Sequence, residues 1–344
     1  MTDVTFSTLI LPRARPWPAL LFGLLTGLAS LAQPAQASPP PARIADLWFA
    51  HNATTALLGA AGRVVITVDT PVAQPWLYRL SPAMRSSVAV NPGPANAEAL
   101  LAGRVNLTFV AQKAEADRLR RLGVPAVSVA FTDLKSMRAS MTTTANALGD
   151  PFAQARLEDY NMYLDEVLAR LGRELAHTPA EARPRVLHIA STFPLRADGA
   201  GTLIDDWITL AGGRNAAVGL HGALQPISVE QIARWNPDII IVGGSNGLPD
   251  PHPMATIPEL RGRRIVRNPT GAYQWDRYGP EFVLQLQWAA KLLHPELFGS
   301  IDMTRETVKF YRRFFHYPLS REEAERMLSA QPPAPLTSLR RLPG

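Results

Sequence analysis

The sequence predicts an α/β protein of two similar lobes, each a parallel sheet covered by helices, with one long helix between them. Three observations carry that expectation. First, a short unit occurs twice. Asn96-Ala97-Glu98-Ala99-Leu100-Leu101-Ala102 runs on to Asn106-Leu107-Thr108-Phe109-Val110, and Ser228-Val229-Glu230-Gln231-Ile232-Ala233-Arg234 runs on to Asp238-Ile239-Ile240-Ile241-Val242. In each copy an N-cap type opens a short helix, and a Glu occupies the first turn, where the helix dipole favours an anion. Eight residues after that Glu a polar residue opens an apolar, β-branched strand. Copies about 130 residues apart, each within its own strand–helix set, indicate two lobes and hence a cleft. Second, strand-like runs alternate with helical patterns of ~10 residues, which argues for parallel sheets covered on both faces. Third, residues 151–177 carry one unbroken helical pattern.

Residues 38–43 are a Pro-rich lead-in, and Arg43–Trp48 reads as the first strand, followed by a helix from Asn52 to Gly59. Arg63–Val68 is a buried strand with a Pro-rich loop after it, Thr70 to Pro75. Val88–Val90, the first repeat unit and Ala126–Ala130 add strands, with a helix Lys113–Leu122 among them. In the long pattern Phe152, Ala155, Leu157, Tyr160, Tyr163, Leu164, Val167, Leu168 and Leu171 recur at helical spacing. Such a helix is ~40 Å long, enough to span two lobes. Sheet-forming sequence resumes with Val186–Ala190, then a helix Thr202–Ala211, the second repeat unit and the strand Arg264–Val266. Helices Gly279–Leu293, Arg305–Phe315 and Ser320–Leu328 close the chain. The expected organisation is a leader 1–37, an N-terminal lobe 38–148, an inter-lobe helix 149–178, a C-terminal lobe 179–331 and a loose tail 332–344.

The leader has the pattern of a cleaved secretory signal. Arg13 and Arg15 precede an apolar run from Ala19 to Ala32, and Ala35-Gln36-Ala37 places small residues where a signal peptidase reads. A run of ~14 residues falls short of the ~20 needed to span a membrane. Cysteine is absent, which excludes thiolate catalysis, Cys-ligated zinc, iron–sulfur clusters, disulfides and lipid attachment at an N-terminal Cys. The expectation is a soluble, monomeric periplasmic protein with no direct membrane anchor. At 344 residues two domains are expected. The net charge of +6 is spread without a block of like charges, which reads as a mildly basic surface and not as a nucleic-acid face.

Three segments resemble a known family, the substrate-binding proteins of ABC importers for iron–siderophores, haem, cobalamin and related metal chelates. Gly199-Ala200-Gly201-Thr202-Leu203-Ile204-Asp205-Asp206 leading to Leu210-Ala211-Gly212-Gly213-Arg214-Asn215 is similar to the glycine segment of that family's second lobe. Ile227–Gln231 through Trp235-Asn236-Pro237-Asp238 resembles its most recognisable stretch, and Trp288–Phe298 resembles its C-terminal helix and stop. The first repeat departs from the pattern, with Val105-Asn106 where a Pro-Asp pair is usual. The resemblance implies a class III periplasmic binding protein: two Rossmann-like lobes joined by one rigid helix, with a small hinge movement on binding. It also implies that Glu98 and Glu230, one on each lobe, dock on arginines of an inner-membrane ABC permease. Rim charges of that kind steer docking and fix register.

In open α/β sheets ligands sit beyond the carboxyl ends of the strands. Those loops carry Trp48, His51, Trp76 and Arg79 from the first lobe, and Phe193, Arg196 and Asn246 from the second. Tyr273, Trp275, Arg277 and Tyr278 follow on a loop before the long C-terminal helix. Aromatic faces suit a ring-containing chelate, and arginine forks suit an anionic, oxygen-rich one. His51 is the candidate metal ligand, able to hold haem iron or nickel. No cofactor is expected to be permanently bound; the transported chelate is the ligand. An iron–siderophore is the first expectation, with nickel chelate, haem and cobalamin behind it. No phosphate-binding Gly-Lys loop and no His-Glu-x-x-His occurs, so an enzyme is not expected, and a periplasmic hydrolase is the alternative from a different class.

Overall fold

Five apolar runs of the first lobe assemble into one parallel sheet in the computed structural model, which describes residues 42–243, 258–260 and 262–335. The strands are Ile44–Asp46 (β1), Val64–Thr67 (β2), Val88–Ala89 (β3), Leu107–Val110 (β4) and Ala126–Ser128 (β5), in the order β3-β2-β1-β4-β5. Helices Asn52–Leu57 (α1), Pro75–Leu80 (α2), Ala97–Ala102 (α3) and Lys113–Arg121 (α4) connect them. The chain leaves β1 towards β2 on one side and reaches β4 on the other, so the strand order reverses between β1 and β4. That reversal opens a crevice beyond their carboxyl ends.

Two helices then carry the chain out of the lobe, Leu134–Leu148 (α5) and Pro151–Glu174 (α6). Sequence reading missed α5 because Thr142-Thr143-Thr144 is a poor helical run. The three hydroxyls each bond back four residues, to Arg138, Ala139 and Ser140, while Met137, Met141, Ala145 and Leu148 face the core. Gly149 turns the corner at φ 66°, a backbone only glycine takes readily, and Asp150 caps α6 from Ala153 N at 2.8 Å. At about 36 Å, α6 is the expected long helix. It is held to both lobes: Arg156 donates to Leu57 O at 2.9 Å, and Tyr160 donates to Pro280 O at 2.9 Å.

The second sheet uses Arg185–Thr192 (β6), Leu195–Ala197 (β7), Arg214–Asn215 (β8), Gln225–Pro226 (β9), Ile239–Val242 (β10) and Arg264–Arg267 (β11). It is mixed and not purely parallel. β11, β10, β6 and β8 run parallel, whereas β7 folds back on β6 through Phe193-Pro194, and β9 pairs antiparallel with β7. Helices Leu203–Leu210 (α7) and Val229–Trp235 (α8) cover it, and Phe282–Leu293 (α9), Pro295–Phe298 (α10), Met303–Phe315 (α11) and Arg321–Leu328 (α12) finish the fold. One apolar cluster runs from Ile44 through Leu157 and Leu164 of α6 to Phe282 and Phe314, so the lobes share a core across the helix.

The two repeat units are alike at the level of single hydrogen bonds. Asn96 Oδ1 accepts from Ala99 N at 3.1 Å and Ser228 Oγ from Gln231 N at 3.3 Å. A left-handed residue closes each unit's helix, Arg104 one residue past the Gly103 cap at φ 53° and Asn236 at the cap itself at φ 46°. Asn106 Oδ1 accepts from Arg43 N at 2.7 Å, and Asp238 Oδ2 accepts from Arg185 N at 2.7 Å. The Val105-Asn106 departure therefore keeps the strand corner intact, because the amide oxygen does what the carboxylate does in the other lobe. Residues 332–335 are not a loose tail: Ala334 O accepts from Arg79. The leader 1–37, Asn246 and residues 336–344 lie outside the described residues.

Candidate functional site

Three aromatic rings from both lobes meet beyond the carboxyl ends of the strands. Trp48 follows β1, Phe131 follows β5, and Tyr278 lies between β11 and α9. Trp48 and Phe131 stand edge to face at 5.6 Å, Tyr278 and Phe131 likewise at 5.6 Å, and Trp48 and Tyr278 are tilted at 5.9 Å. Trp48 and Tyr278 are half-buried, so part of each side chain remains accessible. Sequence reading missed Phe131; its place one residue past the expected strand Ala126–Ala130 was the signal available.

Other expected ligand residues are taken up elsewhere, and the structure corrects them. Trp275 is 0% exposed and belongs to the core. Trp76 is buried and donates Nε1 to Gln331 O at 2.9 Å, while Arg79 bonds Ala334 O; both hold the C-terminal segment. His51 cannot serve as an open metal ligand here. It is buried, its Nδ1 is 2.8 Å from Asp46 Oδ2 and its Nε2 is 2.8 Å from Thr144 Oγ1. Among the described residues no three His, Asp or Glu side chains are grouped to hold a metal. Phe193 stands at the tip of the β6–β7 hairpin, 96% exposed, and Arg196 donates to Leu224 O at 2.6 Å. Tyr273 is half-buried, and its hydroxyl is pushed up to about 12, chiefly by burial.

Arg277 is bound into a buried charge network. Its Nη1 and Nη2 donate to Asp198 at 3.3 and 3.1 Å. Asp198 Oδ2 also holds His188 Nδ1 at 2.7 Å, and His188 Nε2 meets Asp276 Oδ2 at 2.7 Å. Burial alone would push His188 down, but hydrogen bonds to the two carboxylates outweigh it and its pKa is raised. Burial likewise works against the ionised Asp198, yet His188 and Arg277 bring it to about 2. Space is tight: a Cβ on Gly243 would lie 2.0 Å from Asp276 Oδ2 and 2.7 Å from His188 Nε2. This network fixes the loop that presents Tyr278.

The first lobe has its own buried acid beside the crevice. Asp69, just past β2, is fully buried, and neither carboxylate oxygen has a well-aligned donor. Burial raises its pKa to about 8, the neighbouring Asp46 adds to the rise, and Asn52 opposes it. A cavity of about 350 Å³ lies where the strand order reverses, lined by Leu47, Pro94, Ala111 and Glu115. Glu115 is already engaged by Ala95 N at 2.8 Å and by Arg118.

Glu98 and Glu230 are exposed in the first turns of α3 and α8. In a parallel sheet the covering helices run against the strands, so both helix starts lie at the carboxyl edge of their sheets. One carboxylate thus stands on the crevice side of each lobe.

Comparison with known proteins bears on this arrangement. A sequence family described as periplasmic binding protein matches residues 91–268. Molybdate-binding protein MolA of Haemophilus influenzae is 23% identical over 279 residues, covering 72% of this chain and 78% of MolA. The crystal structure of MolA bound to molybdate superposes with a TM-score of 0.68 at 18% identity, covering 82% of this chain and 95% of that one. A periplasmic solute-binding protein of Veillonella parvula gives 0.68 at 24% identity, covering 83% and 91%. Helicobacter pylori CeuE with Ni(II) bound gives 0.67 at 19% identity, covering 84% and 95%.

Proposed function

Because the chain belongs to the periplasmic binding protein family, we propose that it captures a metal chelate between its lobes and delivers it to an inner-membrane ABC permease. The observation that carries this is the Trp48–Phe131–Tyr278 group, which joins both lobes at the strand ends with Trp48 and Tyr278 partly accessible. Arg277 is neutralised by Asp198, so ring stacking rather than an arginine fork would supply the recognition. An iron–siderophore with aromatic donor rings fits best, and nickel chelates, haem and cobalamin are the other candidates. Molybdate is the second reading, favoured by the likeness to MolA. As a tetrahedral oxyanion it would need free donors at the crevice.

The protein acts as an exported binding protein and not as an enzyme in this reading. Quenching of Trp48 fluorescence on titration with a ferric catecholate chelate, nickel–histidine, haemin, cobalamin and molybdate tests it. One ligand should bind saturably without turnover, and Trp48→Ala should weaken that ligand by about 2- to 12-fold, the stacking share of the contact. Saturable binding unchanged in folded Trp48→Ala would remove the rings from the site. Hydrolysis of a bound compound would favour the hydrolase.

Docking is tested separately. Glu98→Ala and Glu230→Ala should reduce permease association and transport while ligand affinity in isolated protein stays within about twofold. Loss of ligand binding by either variant would move that helix start into the ligand site.

A further inference from the structure

A second charged feature lies apart from the crevice, where α6, α9 and α11 border a groove of about 530 Å³. Arg305, Lys309 and Arg313 follow one another at four-residue spacing along α11, which puts three cations in one stripe. Arg170 and Arg173 form a second basic stripe on α6, three residues apart. Like charges at these spacings repel each other unless something neutralises them.

Glu166 also lines the groove and acts on Arg313, so three acids, Asp159, Glu166 and Glu306, stand against five cations. Arg313 pairs with Asp159, and Arg305 and Lys309 share Glu306 at 3.7 and 3.1 Å. Arg170 donates only to the neutral Gln287 Oε1, at 2.6 Å, and its Nε is buried without an acceptor. The Arg173 side chain has no partner among the described residues. The floor is built and polar, since Gln287 is 1% exposed and also donates to the Tyr163 hydroxyl at 3.0 Å. A buried guanidinium N–H without an acceptor is destabilising, and an oxyanion at that point would satisfy it with a charge-assisted hydrogen bond.

We propose that this groove binds a phosphate-type oxyanion, with Arg170 and Arg173 donating from α6 and Lys309 from α11. Arginine forks match phosphate oxygens in geometry, and lysine adds a point charge from the facing wall. The phosphate could belong to a free compound or to a lipid headgroup.

The test is calorimetric titration of the full mature chain with inorganic pyrophosphate, and pelleting with phosphatidylglycerol against phosphatidylcholine vesicles. Both are run at about 50 mM and about 300 mM salt. Wild-type protein should bind at least one of the two phosphate sources, more weakly at the higher salt. Arg173→Glu with Lys309→Glu should weaken that binding by roughly tenfold or more, and Arg170→Gln should weaken it without reversing a charge. A control of equal charge change away from the groove, Arg85→Glu with Arg234→Glu, should stay within about twofold. Binding of pyrophosphate without pelleting assigns a free phosphate, and pelleting without pyrophosphate binding assigns a headgroup. The proposal is overturned if wild-type protein binds neither, or if the groove variants bind as wild type with unchanged melting curves. An equal loss in the control pair also overturns it, since that is a general charge effect.

Discussion

Asp198→Ala is expected to destabilise the protein by about 3–5 kcal/mol, the range seen when one partner of a buried ion pair is removed. The reason lies in what remains. His188 and Arg277 would be left buried beside an apolar methyl, each having lost its bond to the carboxylate. Leu224 N would lose its acceptor at 2.8 Å as well. Asp198→Asn is the informative companion: it keeps an acceptor but no charge, so it should fall between wild type and Asp198→Ala. Urea unfolding at neutral pH measures both, and a loss below about 1 kcal/mol for Asp198→Ala would show that the network is not held by this carboxylate. Because Asp198 is brought from 3.8 to about 2, its share of stability is present above 3.8 and is lost as the pH falls through about 2.

Asp69→Asn should have the opposite sign at alkaline pH. Asp69 stands near 8 in the folded protein against 3.8 when exposed, so between those values the folded chain holds a proton that the unfolded chain has released. Stability from this group is complete below pH 3.8 and is lost as the pH rises towards 8, at about 1.4 kcal/mol per pH unit in mid-window. Asparagine keeps the size and cannot ionise. The variant should therefore match wild type near pH 4 and exceed it at pH 8, with a flatter profile between. Glu281, raised to about 7 mainly by burial, and His188, also raised, bring declines of the same sign that remain in both proteins. Melting curves at pH 4.5, 6.5 and 8 check this. A constant offset between the two proteins at all three values would mean that Asp69 is not protonated on folding.

Local pattern carried most of the architecture. The repeat at Glu98 and Glu230 marked two lobes because capping, dipole and strand chemistry are written in consecutive residues. The helix 151–174 was visible as apolar spacing, and its start at Asp150-Pro151 follows from cap and proline chemistry. Helix α5 was hidden because its buried face mixes Thr and Ser with Met, and only packing against the lobe makes that face apolar enough. The β6–β7 reversal was hidden too, since Leu195–Ala197 is too short to announce a strand by itself.

The candidate site divides along the same line. The order of strands and helices was enough to point to the loop after β1 and the loop before α9, but not to the loop after β5 that carries Phe131. Which side chain on a loop turns outward depends on partners far away in the chain. Trp275 and Tyr278 are three residues apart, yet the first is in the core and the second meets Trp48 and Phe131. Arg277 is drawn inward by Asp198, 79 residues away, and Trp76 by Gln331, 255 residues away. Burial of a polar group is settled by whether a partner of the right charge and geometry is within reach, and only the tertiary structure supplies that partner.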